Sequence, residues 1–183
     1  MNKIGIFIAN DCEEIEALTV VDVLRRGKMD IDMISITGSR QATSSHNVTF
    51  QTDTTMDEAD LSQYDGLVLP GGMPGTTHLG EDSRVTDAIK KFAQEGKLVA
   101  AICAAPSVLG VNGILQGKKA ISYPGFEDKL EGAEITMQPV VVDGNIITSR
   151  GMGTAIDFAL EIYAYFHSEE EAVALGHKFI YDK

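Results

Sequence analysis

Short apolar runs alternate with amphipathic stretches along this chain, and their order predicts the fold. Ile4 to Ala9 reads as a first strand, and the polar break Asn10-Asp11 hands over to a helix across residues 13–26. There Leu18, Val21 and Leu24 recur at helical spacing, acids crowd the first turn, arginines the last, and Gly27 ends it. Residues 31–36 predict a second strand, and residues 43–53 a polar, extended excursion. A third apolar strand, residues 64–69, stops at Pro70-Gly71-Gly72-Met73-Pro74-Gly75. Glycines and prolines at that density predict a rigid, tight loop. A helix follows near residues 83–95.

Leu98 to Ile102 is an uninterrupted apolar run, the pattern of a parallel strand covered on both faces. Pro106 suits the first turn of a helix from about Ala105 to Leu115. Cys103 sits on the hinge between them. The small residues Ala101, Ala104 and Ala105 surround it, so two pieces of backbone can approach closely, as beneath an exposed nucleophile in hydrolase folds. A thiol placed there faces the unpaired N–H donors of a helix start, a setting that stabilises a thiolate. The competing reading is a cysteine that only packs.

Beyond it, residues 119–122 predict a short strand and Tyr123-Pro124-Gly125 a turn. Residues 140–142 and 145–148 predict a β-hairpin with a type I′ turn at Asp143-Gly144, Pro139 standing at its start. Thr154 with Asp157 reads as a capping box for a helix to about Phe166, and Ser168 with Glu171 repeats the device for a last helix. This alternation predicts an α/β fold, a mostly parallel sheet wrapped on both faces, in a single domain over residues 1–183. Ligands of such sheets gather beyond the carboxyl ends of the strands. Three strand-ending segments meet that description: Asp11 to Glu16, the glycine loop at residues 71–75, and Cys103.

Composition narrows the chemistry. At 44% hydrophobic and 23% charged residues, with no apolar run near the ~20 residues of a membrane span, the chain reads as soluble. The first nine residues look like a short signal sequence but serve better as a strand. Two cysteines give no disulfide framework and point to a reducing cytoplasm. A net charge of -12 without a basic cluster excludes broad nucleic-acid binding. His78 and His177 are scattered and predict no metal site, and nothing calls for a cofactor.

Four segments together resemble one family. GluGluIleGlu at 13–16, LeuProGlyGly at 69–72, AlaAlaIleCysAlaAlaPro at 100–106 and ThrSerArgGlyMetGlyThr at 148–154 are similar to the ThiJ/PfpI superfamily, in the branch of the Parkinson-disease protein deglycase and its bacterial relatives. The resemblance implies a flavodoxin-like three-layer α/β/α sandwich, akin to class I glutamine amidotransferase domains, working as a homodimer without cofactor. It implies Cys103 as nucleophile and Glu16 as its partner, with Gly71, Gly72, Ala104 and Tyr123 as the oxyanion and substrate-binding set. The amides of Gly72 and Ala104 would face the substrate oxygen. Two positions depart from relatives: Tyr123 stands where many carry histidine, and His46 where some carry arginine. Cys12 replaces a small residue and reads as packing.

An ordinary thiol, pKa ~8.5, is only about 3% thiolate at neutral pH. A helix end contributes at most ~2 kcal/mol, roughly 1.5 pKa units. An ionised Glu16 would work against the anion, so the useful arrangement keeps its carboxyl protonated and donating to the sulfur. The leading functional expectation is a cofactor-independent glyoxalase, with deglycase activity, acting on 2-oxoaldehydes such as methylglyoxal. The alternative is a redox-sensing stress protein or chaperone in which Cys103 oxidises to a sulfinate. A peptidase is disfavoured because Ala104 stands where those enzymes carry histidine. An amidotransferase is disfavoured because His167-Ser168-Glu169 ends one predicted helix and caps another.

Overall fold

The apolar runs become strands in the order in which they occur. The computed structural model describes residues 2–182. It runs β1 (Lys3–Ile8), α1 (Glu14–Arg26), β2 (Asp30–Ser35), β3 (Gln41–Thr43), β4 (Thr49–Gln51) and β5 (Thr54–Thr55). Next come β6 (Gly66–Leu69), α2 (Gly75–Glu81), α3 (Ser83–Gln94), β7 (Leu98–Ile102), α4 (Pro106–Val111) and β8 (Lys119–Ala120). The chain closes with β9 (Glu134–Ile135), β10 (Val140–Asp143), β11 (Ile146–Ser149), α5 (Ala155–Phe166) and α6 (Glu169–Lys178).

Seven strands form the main sheet in the order β10-β11-β7-β6-β1-β2-β5. All its pairings are parallel except the β10–β11 hairpin. Strand order reverses between β1 and β6, and that crevice is where a doubly wound sheet binds its ligand. The fold is the expected flavodoxin-like sandwich in one domain. Alternate side chains explain its two cores. Ile4, Ile6 and Ile8 pack against Val20, Leu24 and Phe158 of α1 and α5. Phe7, Leu67, Leu69 and Val99 face Ile89, Phe92 and Leu109 of α3 and α4. Truncating a fully enclosed member such as Phe158 to alanine costs about 3–5 kcal/mol.

Local differences from the sequence reading have physical reasons. Helix α2 was not anticipated, because Gly75, Thr76, Thr77 and Gly80 carry neither helical propensity nor an apolar stripe. Helix α4 stops at Val111 rather than Leu115, where Asn112 Nδ2 donates to the Val108 carbonyl at 2.8 Å and Gly113 turns at φ +74. Leu115 is still fully buried, so the apolar pattern reported burial and not helix. The hairpin closes on Asp143 and Ile146, making Gly144-Asn145 the loop. Only Gly144 there takes positive φ, which fits type II′ and not type I′. Asn145 instead donates through Nδ2 to the Ala93 and Lys97 carbonyls. Thr154 precedes α5 but makes no side-chain cap; its Oγ1 is engaged with Ser149 Oγ at 2.6 Å and the Gly151 carbonyl. Ser168 does cap α6, accepting from the Glu171 amide.

Candidate active site

Three neighbouring strands, β1, β6 and β7, lead into the crevice, and each is followed within three residues by one at positive φ: Asp11 (+62), Gly72 (+91) and Cys103 (+65). For a cysteine that conformation is strained. The elbow is held by its neighbours: the Cys103 amide donates to the Ser149 carbonyl at 3.0 Å, and the Tyr123 amide donates to the Cys103 carbonyl at 2.8 Å. Cys103 is partly exposed, whereas Cys12 is sealed in the core.

Glu16 reaches the thiol from α1. Glu13 caps this helix, its side chain accepting from the Glu16 amide at 2.7 Å, and so fixes the first turn. The Glu16 side chain is only 1% exposed. Its carboxyl hydrogen-bonds Cys103 and accepts from the amides of Gly71, at 2.9 Å, and Met152. The Gly71 amide, expected among the oxyanion donors, is therefore committed to Glu16. Glycine is required at this point, because a Cβ on Gly71 would lie 2.6 Å from Cys103 Cβ and 3.1 Å from its Sγ. A Cβ on Gly72 would run into the Cys12–Glu13 backbone.

Burial pushes the Glu16 carboxyl up to about 7, and nearby Glu13 pushes the same way, while the bonds from Cys103, Gly71 and Met152 pull down. Burial, then an ionised Glu16, push Cys103 up to about 12, against the amides of Ala104 and Gly72, which point at the sulfur. The expected neutral Glu16 thus has a physical cause. The expected resting thiolate does not follow from burial: the sulfur can be anionic only while Glu16 keeps its proton. Two amides and one acid around a thiol can support nucleophilic attack and proton transfer at adjacent atoms.

Tyr123 is half exposed, its ring over Gly151, where a Cβ would meet Cδ2 at 3.2 Å. His46 is turned to Glu14, Nδ1 to Oε2 at 3.1 Å, on a hairpin tip tied down by the Ser45 amide donating to the Cys12 carbonyl at 2.9 Å. Glu13, Glu14 and His46 are the one group among the described residues whose ligand atoms could hold a metal ion, and Glu13 is already spent on its cap. His167 stacks on Tyr163 at 4.2 Å beyond the far end of α5. The 12-residue helix spans about 18 Å, so the His167 triplet does not join the thiol. Sequence reasoning missed the Met152 amide: the Gly-Met-Gly segment stood out, but nothing in residue type says which amide it turns inward.

The pattern that defines the DJ-1/PfpI family matches residues 2–165. Protein DJ-1 homolog B of Arabidopsis thaliana is 38% identical over 170 residues, which cover 92% of this chain and 39% of that protein. The chain thus spans about two fifths of that relative's length. Deglycase PH1704 of Pyrococcus horikoshii is 34% identical over 151 residues, covering 81% of this chain and 89% of that one. Among solved structures, that of "Toxoplasma gondii DJ-1, oxidized" superposes with a TM-score of 0.96 at 33% identity, covering 100% of both chains.

Proposed function

This chain belongs to the DJ-1/PfpI family, and on that premise we propose that it is a cofactor-independent, cysteine-dependent glyoxalase with deglycase-like activity on 2-oxoaldehydes such as methylglyoxal. The observation that carries the reading is the buried Glu16 carboxyl hydrogen-bonded to a partly exposed Cys103 whose sulfur also meets the Gly72 and Ala104 amides. A deglycase among the relatives supports it. The Cys103 thiolate adds to the aldehyde carbon, forming a C–S bond, and the carbonyl electron pair becomes an oxyanion beside those amides. Protonation gives a hemithioacetal. Glu16, ionised by then, removes the proton from that carbon and returns one to the neighbouring carbonyl carbon, which is reduced as the first carbon is oxidised to a thioester. Water cleaves the thioester, releasing a 2-hydroxy acid and restoring the thiol, so no external oxidant or reductant is consumed. The test is lactate formation from methylglyoxal without glutathione. Turnover that is absent, or that persists in Cys103→Ser, rejects the reading.

A second reading has its own observation: Cys103 is partly exposed while Cys12 is buried. In it the thiolate reacts with two peroxide molecules in turn, gaining two oxygens as a sulfinate and releasing two waters. Peptide mass spectrometry after mild peroxide would find about +32 Da at Cys103 alone. We place either activity in the cytoplasm and in a homodimer. For the second copy we propose the groove where Ile15 and Leu18 of α1 meet Ile156 of α5 and Phe179 at the end of α6, with Glu14, Asp22 and Arg26 also lining it. No helix among the described residues is long and apolar enough to cross a membrane.

A further inference from the structure

Three uncharged residues, each about half exposed, lie in the segments that build this site: Met73 (50% exposed), Tyr123 (50%) and Met152 (53%). They come from three separate segments, and the backbone ties each to the reactive pair. Met73 follows Gly72, whose amide points at the Cys103 sulfur. The Met152 amide donates to Glu16. The Tyr123 amide donates to the Cys103 carbonyl at 2.8 Å. Half-exposed methionine and tyrosine side chains keep apolar area in water that a ligand can cover.

The charges on the α1 side of this collar are acidic. Glu13 and Glu14 open α1 next to Glu16, and the His46 imidazole is already paired with Glu14 at 3.1 Å. An anion approaching Cys103 from the α1 side therefore meets carboxylates, whereas a neutral apolar body meets thioethers and a phenol ring.

We propose that Met73, Tyr123 and Met152 form a selectivity collar that favours electrophiles with an uncharged apolar body, such as aryl-substituted 2-oxoaldehydes, over anionic ones. As a statement about substrates, this rests on the glyoxalase reading. As a statement about access to Cys103, it can be read without turnover. The experiment compares wild type with Met73→Ser, Met152→Ser and the double variant. Their kcat/KM is measured for phenylglyoxal, methylglyoxal and para-carboxyphenylglyoxal. In parallel, Cys103 alkylation is timed with N-benzyliodoacetamide, iodoacetamide and iodoacetate. Ratios between reagents cancel their intrinsic reactivities.

In the double variant the phenyl-to-methyl ratio of kcat/KM and the benzyl-to-parent alkylation ratio should each fall about tenfold. In wild type the carboxylated substrate should trail phenylglyoxal about tenfold, a gap that narrows as salt is raised. Ratios within about twofold of wild type in the double variant overturn the collar. Absent turnover together with the expected alkylation ratios would reject the glyoxalase reading and leave the collar standing.

Discussion

Replacing Glu16 with leucine tests the proton arrangement on which the proposed chemistry depends. Burial puts the Glu16 carboxyl at about 7, so at neutral pH half of these carboxyls still hold the proton that an anionic sulfur needs. Where such a carboxyl donates that proton in a hydrogen bond, the sulfur can be the anion. Leucine fills similar volume but neither holds a proton nor donates one, so the buried thiol should titrate at or above its ordinary ~8.5, leaving at most about 3% thiolate at pH 7. The ratio of those two ceilings predicts an alkylation rate by iodoacetamide lower by up to about 15-fold at pH 7, close to 1.6 kcal/mol. Glu16→Gln, which keeps a donor without a titrating proton, should fall between them. The assay is thiolate absorbance against pH, run beside the alkylation rate, with circular dichroism to confirm folding. Wild-type thiolate absorbance at pH 7 should exceed that of Glu16→Leu. Absorbance that stays flat through neutrality and rises only toward about 12, the value burial and an ionised Glu16 impose on Cys103, would mean that the carboxyl surrenders its proton first. That result refutes the reasoning.

Two further outcomes follow from the same geometry. Because folding raises Glu16 from 4.5 to about 7, its stabilising contribution is complete below pH 4.5 and is lost as pH climbs through 7, a change of about 3 kcal/mol. Denaturation midpoints of wild type minus Glu16→Gln, measured from pH 4 to 8, should show this decline, and a difference that is level with pH contradicts the burial argument. Gly71→Ala should leave a folded protein destabilised by about 1–3 kcal/mol but reduce lactate formation about 100-fold, since the added methyl displaces Cys103 or Glu16; full activity would show that the pair tolerates separation.

The strands and the crevice were legible because burial writes itself into residue type. Leu98 to Ile102 could only be a covered strand, and the small residues around Cys103 announced a tight elbow that the structure shows at φ +65. The pairing of Glu16 with the thiol came from resemblance, not from spacing: the two lie 87 positions apart in the chain, and only the β1–β6–β7 order joins them. Backbone chemistry stayed hidden. Any residue has an amide, so neither the diversion of Gly71 to Glu16 nor the inward turn of Met152 leaves a mark on composition. Helix α2 escaped because its packing overrides the poor propensity of its own residues.

The left-handed backbone at position 103 sets a side chain against the conformation beneath it. Glycine alone rests there without penalty, so Cys103→Gly should raise the melting temperature by the equivalent of about 1 kcal/mol while abolishing every reaction of the thiol. Selection for heat resistance alone would then erase the nucleophile first. Any campaign to toughen this scaffold has to screen for the sulfur's reactivity at every round, or it will succeed by disarming the protein.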